Sequence, residues 1–394
     1  KKVSKSIDLI TESERPIIIL GNGIKLGKAQ TKAKNLVERL GFPAALTWAT
    51  KDMLPYTHPL VIEGFGVSSE RAGNFAVQNS DLVIALGTRL DTHETSELKT
   101  FARGAKKIVV DIDYTELKKY EEKGMKIDIL ANYDANDFLN AINKKIEKIK
   151  TKDISSWLRK IREWKEKYPI CPAEYYEQKN KVNPYVFMDI LSKESAPGEI
   201  IIADTGATLT WTMQGYRVKE NQMLFSAFNH SPMGYALPAA IGASFASNRA
   251  VNCIIGDGGI QMNIQELATI KYHHLPIRTF IFDNYGYGMI FQTLDNYMGG
   301  RYTAISPESK VPIPDTLKIA EAYGLPTIKI RNNDEIEKGL KKVREYKGPI
   351  VCNVEIDQRQ AIYPKLISGR PLEECSPELP REEFLQNMIV PPLK

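Results

Sequence analysis

Cysteine is scarce in this chain of 394 residues, and the few that occur are widely separated: Cys171, Cys253, Cys352 and Cys375. Because no CxxC pair is present, we expect neither a zinc site nor a disulfide framework, and the pattern fits a reducing cytoplasm. No apolar run approaches the roughly 20 residues that span a bilayer. The opening residues, KKVSKSIDLI, contain no apolar signal-peptide core. We therefore expect a cytoplasmic protein without a membrane partner.

Net charge is also small. The 53 Lys and Arg residues and 48 Asp and Glu residues leave a net charge of +5, and the excess is spread along the chain. Lysine-rich stretches such as INKKIEKIKTK are typical of the solvated face of a helix, so we expect no nucleic-acid partner. Hydrophobic residues make up 43% and charged residues 26%, which is the balance of a soluble globular protein. The length is sufficient for two domains.

In residues 1–150, apolar runs alternate with helical patterns. RPIIIL, DLVIALG and KKIVVDID have the continuous apolar character of buried parallel strands, whereas NLVERLG and NDFLNAINKKIEK follow a helical period. The helix after the first strand is expected to end at Gly41. This alternation predicts an α/β domain in which helices cover both faces of a mainly parallel sheet.

Residues 183–357 repeat the alternation. Asn183 before Pro184 is a strong helix start, and EIIIADTG, VNCIIGDG, IRTFIFDN and PIVCNVEID are expected to be buried strands. Residues 151–182 are charged and aromatic and are interpreted as a linker with one helix, and residues 358–394 as a Pro-rich tail. The predicted fold class is α/β, with two doubly wound, mainly parallel sheets.

The turn at residues 21–23 allows two interpretations. Its Gly-Asn-Gly sequence is close to a dinucleotide-binding fingerprint, but Leu26 stands at the position of the third glycine. The segment also fails as a phosphate-binding P-loop, because Ala29 stands where Ser or Thr is required. The turn is therefore either a tight strand-to-helix connection or a phosphate-contacting turn.

An acid and an amide follow two consecutive strands of the second domain. Asp257 lies in GDGG and Asn284 lies in FDN, 27 residues further on, which is the length of one strand–helix–strand unit. Such strand ends share one edge of the sheet, where open α/β sheets bind ligands. Carboxylate and amide oxygens suit Mg²⁺, and Gly258 and Gly259 would let a phosphate approach. The spacing fits a Mg²⁺-bridged diphosphate and two ordinary turns about equally well.

The segment between these two residues is predicted to be one helix. Its apolar face is formed by four side chains with helical spacing: Met262, Ile264, Leu267 and Ile270.

Two motifs resemble those of thiamine-diphosphate-dependent enzymes, in particular their acetolactate synthase branch. GDGGIQMNIQELAT followed by FDN is similar to the family signature, in which GDG precedes an Asn-Asn pair by one βαβ unit, and PMGYALPAAIGAS lies about 20 residues before it. Asp283 differs from the Asn that is usual in the family, whereas Asn284 keeps the metal-binding position. The resemblance implies a Rossmann-like central domain in residues 1–150 and a thiamine-diphosphate-binding domain in residues 183–357.

The resemblance also implies a set of site residues. Mg²⁺ would be bound by the side chains of Asp257 and Asn284 and by the carbonyl of Gly286. Met233 matches the apolar residue that props the cofactor in a bent shape, and it is a catalytic candidate together with His230. For His230, a substrate or proton-relay role competes with a purely structural one. The cofactor would be contacted by residues of several loops: Thr205, Gly206, Ala207, Thr208, Ser231, Met233, Gly256, Asp257, Gly258, Gly259, Asn284, Gly286 and Met289.

The implied activity is decarboxylation of a 2-keto acid, most simply pyruvate, followed by ligation to a second carbonyl compound. Thr293 stands where biosynthetic acetolactate synthases usually have Trp, which leaves the acceptor open. A simple decarboxylase and a non-catalytic regulatory subunit are the alternatives. FAD on the central domain is also left open, because no residue decides it.

The resemblance implies a homodimer or homotetramer, because the family's active sites lie between subunits. Family members take a catalytic glutamate from an N-terminal domain of the facing subunit, and these residues begin where the central domain should begin. We therefore expect that the chain is a fragment, or that a separate chain supplies the glutamate. Alone, the chain is expected to bind cofactor weakly and to be inactive.

Overall fold

The computed structural model describes residues 2–366 and 369–393. The chain forms two compact units, one made of Lys1–Ile170 with Tyr363–Lys394, and the other of Cys171–Ile362. Each unit contains a six-stranded sheet in which all neighbouring strands are parallel. The predicted fold class, two doubly wound α/β sheets, is confirmed.

The first unit has the strand order β3-β2-β1-β4-β5-β6, which is that of a Rossmann-like sheet. Its strands are β1 Pro16–Leu20, β2 Ala44–Leu46, β3 Val61–Glu63, β4 Leu82–Leu86, β5 Lys106–Asp111 and β6 Ile129–Asn132. Its helices are Lys2–Glu12, Gly23–Leu26, Gln30–Leu40, Arg71–Asn79, Thr92–Thr95, Tyr114–Glu122, Ala135–Asn143, Ser155–Lys167 and Arg381–Gln386. A short antiparallel pair, β13 Lys365–Leu366 and β14 Cys375–Ser376, belongs to the same unit.

The first unit includes segments that the sequence pattern assigned to a linker and a tail. Helix Ser155–Lys167 buries Trp157 and Trp164 in the unit's core, and Leu372 and Phe384 from the chain's last segment join the same core. The charged and aromatic composition of residues 151–170 is therefore that of an amphipathic helix, whose apolar stripe is removed from water by packing on the sheet's helices.

Two glycines shape the helices of this unit. Gly41 ends helix Gln30–Leu40 in the left-handed conformation, with φ of 66°, as the sequence predicted. Gly73 lies in helix Arg71–Asn79, which is buried along its whole length. A Cβ atom at Gly73 would lie 1.9 Å from the carbonyl oxygen of Gly64. Only a glycine allows this helix to approach the loop after β3 so closely.

The second unit has the strand order β11-β12-β10-β9-β7-β8. Its strands are β7 Ile200–Ala203, β8 Met223–Phe225, β9 Val251–Gly256, β10 Ile277–Asp283, β11 Thr327–Ile330 and β12 Ile350–Glu355. Its helices are Pro184–Glu194, Ala207–Gly215, Ala236–Ala246, Asp257–Ile260, Glu266–Tyr272, Gly288–Tyr297, Thr316–Ala322 and Ile336–Glu345. The predicted start of its first helix is confirmed, because the Asn183 side chain accepts a hydrogen bond from the Tyr185 backbone N–H.

The segment between β9 and β10 differs from the single helix predicted. A short helix, Asp257–Ile260, is followed by a 3₁₀ turn and then by helix Glu266–Tyr272. Leu267 and Ile270 are buried as expected, but Met262 is 50% exposed and does not belong to the apolar face. The 3₁₀ turn interrupts the α-helical period, so Met262 does not share the buried face of Leu267 and Ile270.

No helix among residues 2–366 and 369–393 is long and apolar enough to cross a membrane.

Candidate functional site

The second sheet reverses its direction of growth between β7 and β9. The chain passes outward from β7 to β8, returns to pair β9 with β7, and continues through β10 on the other side. The loops that follow β7 and β9 therefore diverge and leave a crevice at the carboxyl edge, where open α/β sheets bind ligands. Asp204 follows β7 and Asp257 follows β9, and both are almost completely buried.

Asp257 is held by backbone groups on two sides. One carboxylate oxygen accepts a hydrogen bond from the Gly258 N–H at 2.7 Å, and the other accepts from the Gly286 N–H at 3.0 Å. The pKa of Asp257 is raised to about 8, first by burial and then by the neighbouring Asp283 carboxylate. An ionised carboxylate in this place thus calls for a compensating positive charge.

The backbone of the loop at residues 284–288 depends on two glycines, Gly286 and Gly288. Asn284 is 8% exposed, and its amide nitrogen would lie only 2.8 Å from a Cβ at Gly288. Gly286 has φ of 157°, and a Cβ there would lie 2.5 Å from the carbonyl oxygen of Ile305. The Tyr287 N–H donates to that same oxygen at 2.9 Å. The two glycines therefore allow the loop to bring the Gly286 N–H to the Asp257 carboxylate, with Asn284 buried two residues earlier.

The donor set at this edge fits Mg²⁺. Among the residues that the structure describes, no three His, Cys, Asp or Glu side chains are grouped so as to hold a metal ion. A cation bound here would depend on one carboxylate, one amide, one carbonyl and oxygens of a ligand, which is how Mg²⁺ is commonly held. It would also compensate the buried carboxylate of Asp257, whose pKa is raised by burial and by the neighbouring Asp283.

Asp283 itself is fixed by the next strand. Its carboxylate accepts a hydrogen bond from the Asn353 side-chain amide at 2.6 Å, and the same amide group is 3.1 Å from the Thr316 hydroxyl. Asp283 also accepts from the Tyr285 N–H at 3.3 Å. The residue that departs from the family's Asn is thus part of a buried polar network behind Asp257.

The segment at residues 205–208 forms the opposite side of the crevice. Gly206 has φ of 73° and precedes helix Ala207–Gly215. A Cβ at Gly206 would lie 3.8 Å from the Cβ of Met289, and the Thr208 hydroxyl lies 3.4 Å from where Gly256 would carry its Cβ. The structure therefore brings Gly206, Thr208, Gly256 and Met289, all proposed from the sequence, into one crevice.

Gly258 and Gly259 have a packing role that the sequence did not suggest. A Cβ at Gly258 would lie 2.4 Å from the ring of Tyr287, and a Cβ at Gly259 would lie 2.2 Å from the carboxylate of Asp204. The sequence suggested that these glycines leave room for a phosphate. In the structure, protein atoms fill the space where each Cβ would lie. Their contact with a cofactor stays a prediction.

Met233 lies on a loop that is held by Asp204, the residue directly after β7. Its side chain is 39% exposed, and its methyl group lies 3.5 Å from where Gly258 would carry a Cβ. The backbone N–H groups of Gly234 and Ala236 both donate to the Asp204 carboxylate. The sequence pattern placed Asp204 at the end of the predicted strand EIIIADTG but assigned it no role. Its position directly after a buried strand, like that of Asp257, was the signal that could have found it.

His230 and Ser231 lie at the outer part of this loop. His230 is exposed, and its ring nitrogen lies 3.4 Å from the Asn229 side-chain amide. Ser231 has φ of 42°, and its hydroxyl lies 3.5 Å from the carbonyl oxygen of Phe228. Neither contact joins these residues to Asp257 or Asn284, so the proposed role of His230 stays a prediction.

The carboxyl edge of the first sheet was the other place considered for a cofactor. The N–H of Gly21 donates to the carbonyl of Leu86 at 2.9 Å, and the N–H of Gly23 donates to that of Gly87 at 2.8 Å. A Cβ at Gly21 would lie 2.3 Å from the Gly87 oxygen. The turn at residues 21–23 is thus a tight connection packed on the turn after β4, and it leaves neither of these two N–H groups for a phosphate.

A pH-dependent contribution to stability arises beside that turn. Burial raises the pKa of Glu94 to about 7, and its carboxylate accepts a hydrogen bond from the Thr88 hydroxyl at 2.5 Å. A carboxyl pKa that is raised in the folded state stabilises fully below the unfolded value of about 4.5, and this contribution is lost as the pH rises through about 7. We expect Glu94→Gln to lose less stability than the parent between pH 5 and pH 8.

Thermal unfolding at pH 5, 6, 7 and 8 measures this difference. The exposed Glu97, three residues further on, provides the control: Glu97→Gln should keep the parent's pH dependence. Parallel profiles for Glu94→Gln and the parent would contradict the expectation.

Both units of this chain match domains of one known protein family. Residues 204–354 match the C-terminal TPP binding domain of thiamine pyrophosphate enzymes, and residues 3–142 match the central domain of the same enzymes. The chain belongs to the thiamine pyrophosphate (thiamine diphosphate) enzyme family. Asp204, Asp257 and Asn284, which follow β7, β9 and β10, all lie within the matched TPP binding domain.

Within this family the chain is similar to acetolactate synthase large subunits. It is 32% identical over 366 residues to a "probable acetolactate synthase large subunit" of Methanocaldococcus jannaschii. The aligned residues make up 92% of this chain and 61% of the relative. It is 29% identical over 371 residues to an acetolactate synthase large subunit of Porphyra purpurea, covering 94% and 62%. The chain spans about three fifths of the length of these relatives. The resemblance predicted from the two motifs is confirmed.

Proposed function

We propose that this chain is the central and cofactor-binding part of a thiamine-diphosphate- and Mg²⁺-dependent enzyme that decarboxylates a 2-keto acid and ligates the product to a second carbonyl compound. The observation that carries the proposal is the hydrogen bond from the Gly286 N–H to the Asp257 carboxylate, which joins the turn after β9 to the loop after β10 in which Asn284 is buried. A carboxylate, an amide and a backbone carbonyl on one edge form the protein's share of a Mg²⁺–diphosphate site.

Each part of the crevice has a proposed role. Asp257 and Asn284 bind Mg²⁺ through side-chain oxygens, and Gly286 binds it through its carbonyl. Residues 205–208, together with Ser231 and Gly256, contact the diphosphate. Helix Ala207–Gly215 begins within that segment, and its first N–H groups and the positive end of its dipole favour an anion.

Met233 is proposed to support the organic part of the cofactor. When bound, thiamine diphosphate supplies an electron sink for the decarboxylation of 2-keto acids. Met233 presents a half-exposed apolar side chain on a loop with two anchored N–H groups. It would hold the two rings of the cofactor close together, which gives the reaction the advantage of proximity.

The substrate side of the site is proposed to lie along helix Gly288–Tyr297. Met289 is partly exposed near its start, and Thr293 is exposed one turn later, with its hydroxyl 3.0 Å from the Met289 carbonyl oxygen. A small polar side chain at position 293 leaves space where a bulky aromatic one would fill it. We therefore propose that the acceptor need not be a second small keto acid, and pyruvate remains the simplest donor.

Assembly and the remaining catalytic group form part of the same proposal. We propose that the working enzyme is a homodimer or homotetramer in the cytoplasm, and that a glutamate outside these 394 residues completes the site. A non-catalytic subunit is the less economical alternative, because it would have no use for Asp257 and Asn284 together. FAD on the first unit is not part of the proposal, because Gly21 and Gly23 use their N–H groups within the protein.

Product analysis tests this function. The protein expressed from its complete gene is incubated with thiamine diphosphate, Mg²⁺ and pyruvate, with and without a second carbonyl acceptor, and the products are separated. The proposal predicts acetolactate or another ligated product. Acetaldehyde as the sole product would replace it with a simple decarboxylase.

A further inference from the structure

Asp204 joins the end of β7 to the loop that carries Met233. Its two carboxylate oxygens accept different N–H groups, one from Gly234 at 3.1 Å and the other from Ala236 at 3.0 Å. The side chain is 1% exposed. Met233 is the residue directly before Gly234, so this bidentate contact fixes the backbone on the C-terminal side of Met233.

Two further residues hold the same loop. The Asn263 side-chain amide donates to the Gly234 carbonyl at 2.8 Å, so both polar groups of the Gly234 backbone are bonded to side chains. Gly234 has φ of 83°, and a Cβ there would lie 2.6 Å from Met262. The loop therefore cannot shift here without breaking buried hydrogen bonds, which are costly to leave unmade.

Gly259 leaves the space in which Asp204 lies. A Cβ at Gly259 would lie 2.2 Å from an Asp204 carboxylate oxygen, although Gly259 belongs to the turn after β9. The same turn contains Asp257, which is proposed to hold the metal. Asp204 is thus in contact with the turn of the metal site on one side and with the Met233 loop on the other.

We propose that Asp204 is a positioning residue that sets the height of Met233 above the metal and diphosphate site, and through it the shape of the bound cofactor. This inference rests on the proposed function. The two N–H groups donate to different carboxylate oxygens, and an amide at position 204 would place an NH₂ group opposite one of them. An aspartate therefore accepts both hydrogen bonds in this geometry, whereas an asparagine loses one.

The experiment compares two ligands in the protein expressed from its complete gene. One ligand is thiamine diphosphate with Mg²⁺, and the other is inorganic pyrophosphate with Mg²⁺, which lacks the rings that Met233 would support. Asp204→Asn is expected to weaken thiamine diphosphate binding by about tenfold to a hundredfold, the cost of losing a hydrogen bond to a charged group. Pyrophosphate binding should change by no more than about twofold.

Glu199→Gln is the matched control. Glu199 precedes β7 as Asp204 follows it, is also buried, and accepts hydrogen bonds from Arg278 and Asn252. Its substitution should lower the melting temperature and leave both affinities unchanged.

A double-mutant cycle separates positioning from general stability. If Asp204 acts through Met233, Asp204→Asn should have little further effect on thiamine diphosphate affinity in a Met233→Ala background. The inference about Asp204 would be overturned by any one of three results: unchanged affinity in Asp204→Asn, equal losses for both ligands, or additive losses in the cycle. None of these results would overturn the proposed function. A parent protein that binds pyrophosphate but not thiamine diphosphate would overturn the proposed function, and the inference with it.

Discussion

Asp257→Ala is expected to weaken the binding of thiamine diphosphate in the presence of Mg²⁺ by about 100-fold or more, since even residues that only support metal ligands commonly contribute 10- to 100-fold. The variant loses the sole carboxylate proposed to contact the metal, and the N–H groups of Gly258 and Gly286 lose their acceptor. Calorimetric titration with and without Mg²⁺ measures the loss. Removal of Mg²⁺ from the parent protein with a chelator should have the same effect as the substitution.

Asp283→Asn is the matched control for this prediction. It removes a neighbouring buried carboxylate and introduces the amide that is usual in the family at this position. Because Asp283 raises the pKa of Asp257, its removal should leave Asp257 easier to ionise, and binding should be retained. Equal losses in Asp257→Ala and Asp283→Asn would argue against Asp257 as the particular ligand, and thermal melting of both variants shows whether they are folded.

Gly73→Ala is expected to destabilise the first unit by about 3 kcal/mol, at the upper end of the usual cost of overpacking. The added methyl group would lie 1.9 Å from a backbone oxygen of Gly64, and neither helix Arg71–Asn79 nor the loop can give way without disturbing a buried face. Urea unfolding measures the change in the free energy of unfolding.

Gly41→Ala provides the comparison in the same unit. Nothing lies within 4 Å of a Cβ at Gly41, so the only cost is the left-handed conformation, roughly 1 kcal/mol. If both variants lost the same stability, the close approach of helix and loop at Gly73 would not be a determinant of the fold.

Most interior strands were predictable from the sequence, whereas the edge strands β3, β6, β8 and β11 and the short interior strand β2 were not. The sequence pattern identified β1, β4, β5, β7, β9, β10 and β12 as continuous apolar runs. Strands β2, β3 and β8 have three residues each, too few for a periodic signal to appear. β3 and β8 are also edge strands, and their pairing depends on the exposed edge of a sheet that already exists.

The candidate site shows a similar division. Asp257 and Asn284 were predictable because one strand–helix–strand unit brings strand ends to a common edge. The clamp of Asp204 on Gly234 and Ala236 was not, since it joins residues 30 and 32 positions apart, and residues 226–235 have no helix or strand whose period could show it. The roles of Gly258 and Gly259 were also not predictable, because glycine in a sequence does not say which atoms fill the missing side chain's space.

The discontinuous first unit has a consequence for biosynthesis. Leu372 and Phe384 complete a core whose sheet is made of residues 16–132, so a ribosome must translate the entire second unit before the first can finish folding. The second unit is continuous, from Cys171 to Ile362, and is able to fold as it emerges. The nascent first unit would meanwhile expose the part of its apolar core that Leu372 and Phe384 cover, which is the kind of surface that chaperones protect during translation.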